Sequence, residues 1–515
     1  MNLLKTLAAI SSMTMLSRVT GLLRESLLAS AFGASAYMDA FNVAFRLPNL
    51  LRRLFAEGAF SQAFVPILSE YKTQQGHDAT KTLVDHVATT LVWATLITSI
   101  LGIIAAPALL VMIMGRTEDA GAFDAAVLMT RVMFPYIICM AFVALAGGVL
   151  NTWRQFKVPA FTPVLLNLSF IFASLVLVHY LEVPIYAAAI GVCVGGLLQV
   201  AIQIPAMRKI GMLPRISINP LSGLRDAGVR RMLRKMGPAL FAVAAAQISL
   251  LINTGIAARL GEGSVSALQW ADRLMEFPTA MLGVALGTIL LPSLAKANSE
   301  GDTVEYSALL NWGLRLTFLL ALPAAVGLAT LAEPLIAFLF HYNKFTAADV
   351  HKSAMPLMAY SAGLIGIILV KTLAPAFFAR QDIRTPVRIA MGVLVATQLM
   401  NLVFVPFLGV AGLALSIGMG ACINAAFLYT GLRSRGIYVP QPGWIGFFIR
   451  LAVAAGALGA VAWFGQAQFD WIALQKQPLL RAGALMAIIA ASAASYFAVL
   501  MVLGFRPRDF KRRAK

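Results

Sequence analysis

Long apolar runs decide what this chain can fold into. By their spacing there are fourteen, near 5–31, 36–71, 82–113, 125–152, 159–180, 184–208, 236–259, 264–296, 304–332, 350–379, 386–405, 409–433, 444–465 and 480–503. At about 1.5 Å of helical rise per residue, runs of this length cross roughly 30 Å of hydrocarbon. In lipid, only helices and closed barrels satisfy their own backbone, and a barrel would show short alternating segments. The expected fold is an all-α polytopic membrane protein with about 14 transmembrane helices. Composition agrees, because 60% hydrophobic and 12% charged residues could not cover the surface of a soluble protein of 515 residues.

The remaining charge orients the chain. Net charge is +19, and most cations fall in alternate loops, among them Lys72, Lys81, Arg154, Lys157, Arg208, Lys209, Lys296, Arg380, Arg384, Arg433 and Arg435, and in the tail from Arg506. The intervening loops carry few, such as Arg116, Lys344 and Lys476. Loops rich in Lys and Arg stay cytoplasmic, so both termini are expected there, with the basic loops against anionic lipid headgroups. The first residues look like a signal peptide, but Arg18 and Arg24 interrupt the apolar stretch and many runs follow. Residues 5–31 therefore read as a retained first helix.

The longest break, 209–235, places Arg225, Arg230, Arg231 and Arg234 among apolar residues and reads as an amphipathic cytoplasmic linker. Ala44-Phe45-Arg46-Leu47, followed by Phe64-Val65-Pro66-Ile67-Leu68, is echoed by Ala271-Asp272-Arg273-Leu274, followed by Leu290-Leu291-Pro292-Ser293-Leu294. Such an echo suits two six-helix lobes, 1–208 and 236–433, around a central cavity, with 434–515 adding two helices and a basic tail. Gly21, Pro48 with Gly58, and Pro278 with Gly283 and Gly287 are expected to interrupt runs 1, 2 and 8 beside that cavity. Gly191–Gly195 and Gly283–Gly287 have the spacing of close helix crossings.

No catalytic set presents itself. The chain has no GxxxxGK[ST], no HExxH, no nucleophile elbow and no acidic pair with metal-like spacing. Cys139, Cys193 and Cys422 sit singly in apolar runs, and the five histidines lack metal spacing. A transporter is expected rather than an enzyme, with no metal or other cofactor, no nucleotide and no nucleic acid. What remains is charge at membrane depth: Arg18, Arg24, Arg46, Arg52, Arg53, Arg131, Arg273, Arg315, Lys371 and Arg450 lie inside runs. The acids Glu25, Asp39, Glu57, Asp272 and Glu276 are too few to neutralise them. One intramembrane guanidinium costs about 3–17 kcal/mol, so a chain keeping several must line a wet, electropositive cavity. Guanidinium forks match phosphate oxygens, which suits a phosphate or pyrophosphate.

Each cation also has a structural reading. Arg53 and Glu57 are four apart and share a helical stripe with Arg46 and Asn49, where an ion pair and a ligand contact fit equally. Arg52 lies about 100° round the helix from Arg53 and is expected to stand as a free cavity cation. Arg273 has Asp272 and Glu276 close by, whereas Arg18 and Arg24 have only Glu25. Arg131, Arg315 and Arg450 lie near run ends and can snorkel; Lys371 is deeper.

Several of these stretches resemble the MurJ (MviN) lipid II flippases. They include Leu16-Ser17-Arg18-Val19, Asp39-Ala40-Phe41, Leu47-Pro48-Asn49-Leu50-Leu51-Arg52-Arg53, and Phe55-Ala56-Glu57-Gly58-Ala59-Phe60-Ser61-Gln62. Ala271-Asp272-Arg273-Leu274-Met275-Glu276-Phe277-Pro278, Arg380-Gln381-Asp382-Ile383-Arg384-Thr385-Pro386 and Pro440-Gln441-Pro442-Gly443-Trp444 extend the likeness along the whole chain. The resemblance implies the multidrug/oligosaccharidyl-lipid/polysaccharide exporter fold in a bacterial inner membrane. It also implies lipid II, the undecaprenyl-pyrophosphate-linked peptidoglycan precursor, as substrate. The family's cavity arginines fall on Arg18, Arg24, Arg52 and Arg273, its functional aspartate on Asp39, and Arg46 stands where only charge is required. The last two helices, near 451–463 and 485–503, would take the lipid tail.

The expected mechanism is alternating access by a monomer, with cavity arginines holding the pyrophosphate while the tail stays in lipid. Membrane potential, at about 2.3 kcal/mol per charge per 100 mV, or a monovalent ion could set direction, with Asp39 or Glu57 as a protonated group. An exporter of amphipathic cations would need an acidic, aromatic site. A polyprenyl-phosphate transferase would need a general base or metal ligands in sizeable loops, and these loops are short.

Overall fold

The computed structural model describes residues 3–53, 59–115 and 119–505. They form helices α1 (Leu3–Phe32), α2 (Ala36–Arg52), α3 (Ala59–Gln74), α4 (Gly76–Met114), α5 (Ala120–Met133), α6 (Tyr136–Thr152), α7 (Lys157–Leu175), α8 (Tyr186–Lys209) and α9 (Leu221–Leu224). There follow α10 (Ala227–Arg259), α11 (Ser264–Ser299), α12 (Thr303–Thr330), α13 (Ala332–Phe340), α14 (Ala347–Phe378), α15 (Arg384–Leu408), α16 (Val410–Ser434), α17 (Trp444–Gln466) and α18 (Pro478–Val502). Two compact units result, Met1–Val265 and Ser266–Lys515.

The fold is all-α and polytopic, as the apolar runs require. Among the described residues, 10 helical stretches are long and apolar enough to cross a membrane, lying on α4, α5 with α6, α7, α8, α12 and α14 to α18. The four expected spans outside that set lie on α1, α2 with α3, α10 and α11. Three of these four carry the candidate residues Arg18, Arg24, Arg46, Arg52, Asp272, Arg273 and Glu276. Short polar side chains start many helices. Ser35 caps α2, Asp119 caps α5, Asp226 caps α10, Asp302 caps α12, and Thr346 with Asp349 closes a capping box on α14.

The expected interruptions do not occur where the chain is described: α1 runs through Gly21, α2 through Pro48 and α11 through Pro278, while Gly58 lies outside the described residues. A proline removes one backbone hydrogen bond, and neighbouring groups can make up that loss in a packed helix. Here the Thr279 hydroxyl donates to the Met275 carbonyl at 2.8 Å beside the gap. The fourth run instead divides at Phe134–Pro135, between α5 and α6.

In the first unit, α3, α4, α6 and the start of α10 bury Phe60, Phe64, Leu83, Val87, Leu145, Val149 and Met232 together. The glycines of α8 do bring it close to α7: a Cβ on Gly195 would lie 2.6 Å from Leu166 Cδ1 and 3.1 Å from its Cα. In the second unit α14 and α16 cross backbone on backbone, where a Cβ on Gly363 would lie 2.6 Å from the Gly418 carbonyl oxygen. Helices α17 and α18 pack on α12 through Leu319, Phe447, Leu451, Leu458 and Tyr496, whose hydroxyl donates to the Leu319 carbonyl at 2.6 Å.

Candidate substrate site

Helix α7 organises the arginine face of α1. The Asn167 side-chain oxygen accepts from Arg24 Nη1 at 3.1 Å, while its nitrogen donates to the Ser17 carbonyl at 2.9 Å and to Thr20 Oγ1 at 3.1 Å. Arg24 Nη2 donates to Glu25 Oε1 at 2.5 Å, and the two side chains are only 13% and 3% exposed. The guanidinium also sits 5.1 Å from the ring centre of Phe170, a favourable cation–π distance. Phe170 in turn meets Phe41 and Phe45 of α2 edge-on, with centroids 6.0 and 6.3 Å away. Arg24 is thus fixed by one carboxylate, one amide and one ring, and its Nε has no hydrogen-bond partner among the described residues. A guanidinium has five donors, so this one keeps capacity for an incoming oxyanion. Arg18, six residues earlier on α1, is exposed.

On α2, Asp39 is buried in the first turn, where the partial positive charge of a helix N-terminus favours a carboxylate. Arg46 is half-buried. Arg52 is not free as expected: its Nε donates to Asn49 Oδ1 at 2.9 Å. Residues three apart are neighbours on a helix, so a polar side chain one turn back captures the guanidinium. Arg53 is half-buried, and its backbone N–H closes α2 on the Asn49 and Leu50 carbonyls. Its expected partner Glu57 lies outside the described residues.

In the second unit, Arg273 Nη1 donates to Glu276 Oε2 at 3.0 Å, one turn along α11, with both side chains well exposed. Asp272 is half-buried beside it. Lys371 of α14 is half-buried and lays its stem over Gly283 of α11, where any Cβ would collide with it. That glycine therefore makes room for a lysine, not for a helix backbone. Arg131 donates to the Ile103 carbonyl at 3.2 Å, and Arg315 to the Pro442 carbonyl at 2.9 Å while lying 5.3 Å from the Trp444 ring centre. Arg450 lies over Phe505.

Three contributors escaped the sequence reading. Asn167 and Phe170 are a polar and an aromatic residue inside an apolar run, with nothing local to mark them. Arg481, at the start of α18, resembles a residue at a span's edge, yet it is fully buried. It is held by the Trp471 and His341 carbonyls at 3.4 and 3.3 Å and by the Tyr342 ring at 4.9 Å. Burial and the Arg481 charge together push the neighbouring His341 below its ordinary range.

Among the described residues, ten apolar, span-length helical stretches, packed beside helices that carry arginines and carboxylates, have the architecture of a polytopic helical transporter. A multidrug resistance transporter of the MATE family, MOP superfamily, solved inward-facing, has the same fold, with TM-score 0.67 and 16% identity over 84% of this chain and 98% of that one. A solved lipid II flippase MurJ in an inward closed conformation fits better, with TM-score 0.78 and 22% identity over 96% and 99%. Residues 28–479 match the lipid II flippase MurJ family. The lipid II flippase MurJ of Burkholderia cenocepacia is 57% identical over 516 residues, covering 100% of both chains. The probable lipid II flippase MurJ of Vibrio cholerae is 39% identical over 99% of this chain and 98% of its own. The chain belongs to the MurJ family of lipid II flippases.

Proposed function

We propose that this chain carries lipid II across the bacterial inner membrane from the cytoplasmic to the periplasmic leaflet. It acts as a monomer with both termini in the cytoplasm. The site opens alternately to the two faces, and Arg18, Arg24, Arg52 and Arg273 hold the pyrophosphate, with Asp39 tuning their charge. The undecaprenyl tail stays in lipid against α17 and α18, where Trp463, Phe464, Met486 and Phe497 are exposed. The lobes are those read from the sequence, 1–208 and 236–433, joined by 209–235.

One observation carries this reading: a guanidinium fixed by Glu25 and by Asn167 and Phe170, both within the apolar candidate span on α7, with donor capacity left over. Moving a diphosphate through bare hydrocarbon would bury its charge unpaired, and such a cation removes that barrier. An inside-negative potential would draw the empty cationic site inward and so reset the carrier.

Proteoliposomes loaded with labelled lipid II test this. Lipid II should appear in the opposite leaflet, chemically unchanged, and faster under an inside-negative potential. New glycosidic bonds would refute transport, and a rate indifferent to potential would refute electrical resetting.

A further inference from the structure

The stretch between α8 and α10 looks like a connector, but it is held in an unusual way. A stripe of side chains along residues 85–93 of α4 clamps its backbone. Asp85 accepts from the Arg215 N–H at 2.8 Å, Thr89 Oγ1 accepts from the Ser217 N–H at 3.1 Å, and Trp93 Nε1 donates to the Ser217 carbonyl at 3.0 Å. His86 meets Asp226, the cap of α10, at 3.0 Å. Gly223 of α9 lies so close to α4 that a Cβ there would be 2.6 Å from the His86 carbonyl. With Ser217 turned toward α4, the alternating neighbours point outward. Ile216 is 51% exposed and Ile218 90%, and Leu221 and Leu224 are exposed beyond them.

Four aliphatic side chains held outward on a clamped backbone are costly in water, at about 25 cal/mol per Å² of apolar surface. Their setting says what covers them. Arg215 and Arg225 on the same stretch, and Arg230, Arg234 and Lys235 at the start of α10, are all exposed, and Asp226 is the one acid of residues 209–235, with Asp85 of α4 held on the Arg215 N–H. The clamping residues 85–93 lie where α4 enters its apolar run, and Trp93 is a residue type enriched at membrane interfaces. Basic and aliphatic side chains together at that depth match the headgroup boundary of an anionic leaflet.

We propose that residues 215–224 form a docking surface for anionic phospholipid, with Ile216, Ile218, Leu221 and Leu224 inserted among acyl chains and the arginines on phosphates. The surface lies on the side of the membrane that holds the termini. It is separate from the transport site, and α4 is its rigid base.

The test uses full-length protein in nanodiscs, with Cys139, Cys193 and Cys422 replaced by alanine and a nitroxide placed by Ile218→Cys or, as control, by Glu300→Cys. In bilayers containing phosphatidylglycerol, the label at 218 should be reached by oxygen at least about tenfold more readily, relative to a nickel chelate, than the label at 300. Pure phosphatidylcholine, or Arg215→Gln with Arg225→Gln and Arg234→Gln, should move it toward water. Mass spectrometry of the otherwise unaltered protein should find phosphatidylglycerol retained, and lost with the triple substitution. A label at 218 as water-exposed as that at 300 in both bilayers would overturn the proposal and leave the row to a protein partner. Equal insertion in both lipids would overturn its anionic selectivity.

Discussion

Glu25→Gln separates the structural and transport roles of Arg24. In the wild type the two side chains meet at 2.5 Å and are 13% and 3% exposed, so little water screens the pair. Two charges about 4 Å apart at an effective dielectric of about 20 attract by about 4 kcal/mol. Glutamine keeps an oxygen that can accept from Nη2 but loses the charge, and breaking a buried pair typically costs about 3–5 kcal/mol. We expect a loss near the lower end, about 3 kcal/mol, because Asn167 and Phe170 remain. A bound diphosphate then takes the carboxylate's place. If it restores half of what was lost, roughly 1.5 kcal/mol, the variant binds the lipid about tenfold more tightly than the wild type. Thermal unfolding in detergent, with and without lipid II, reads both effects: a lower melting point alone and a larger ligand-induced rise. A variant that melts with the wild type and gains no more from ligand would refute Arg24 as the phosphate-binding cation.

Three further outcomes follow from the geometry. Glu276→Gln breaks only an exposed pair, so stability should stay within about 0.5 kcal/mol, and any transport defect measured beside an unchanged melt belongs to function. Gly363→Ala should cost at least about 1–3 kcal/mol and sharply lower the yield of folded protein, because Gly418 backbone fills the space. Asp382, in the loop before α15, is held down to about 2 by hydrogen bonds from the Thr385 hydroxyl and N–H and from Arg435. Its contribution is complete above its ordinary pKa near 3.8 and fades as pH falls through about 2. Denaturation profiles of the wild type and Asp382→Asn should therefore differ by a constant amount from pH 5 to 8 and converge on acidification.

The fold was legible because hydrocarbon leaves the backbone so few choices. Run length located the helices, and the runs with the most internal charge are the ones that carry the candidate residues. Broken helices were harder to foresee: Gly21 and Pro278 sit in helices that tertiary packing keeps intact, whereas the break at Pro135 went unnoticed. At the site, Arg273 and Glu276 could be paired from their spacing along one helix. Arg24 could be singled out but not understood, since Asn167 and Phe170 reach it from 143 and 146 positions away in sequence. Arg52 was misjudged because a helical wheel gives the direction of Cβ, while a long guanidinium can turn back onto Asn49. Arg481 was overlooked because an arginine at the edge of a span usually reaches water.

Binding of lipid II to purified protein in nanodiscs, compared across Arg24→Ala, Arg52→Ala, Arg273→Ala and the matching lysine substitutions, bears most directly on whether these cations grip the diphosphate. Each alanine variant that still folds should bind at least about tenfold more weakly, one charge-assisted contact being worth roughly 1.5–3 kcal/mol, with partial recovery by lysine. Wild-type affinity in all three alanine variants would contradict it.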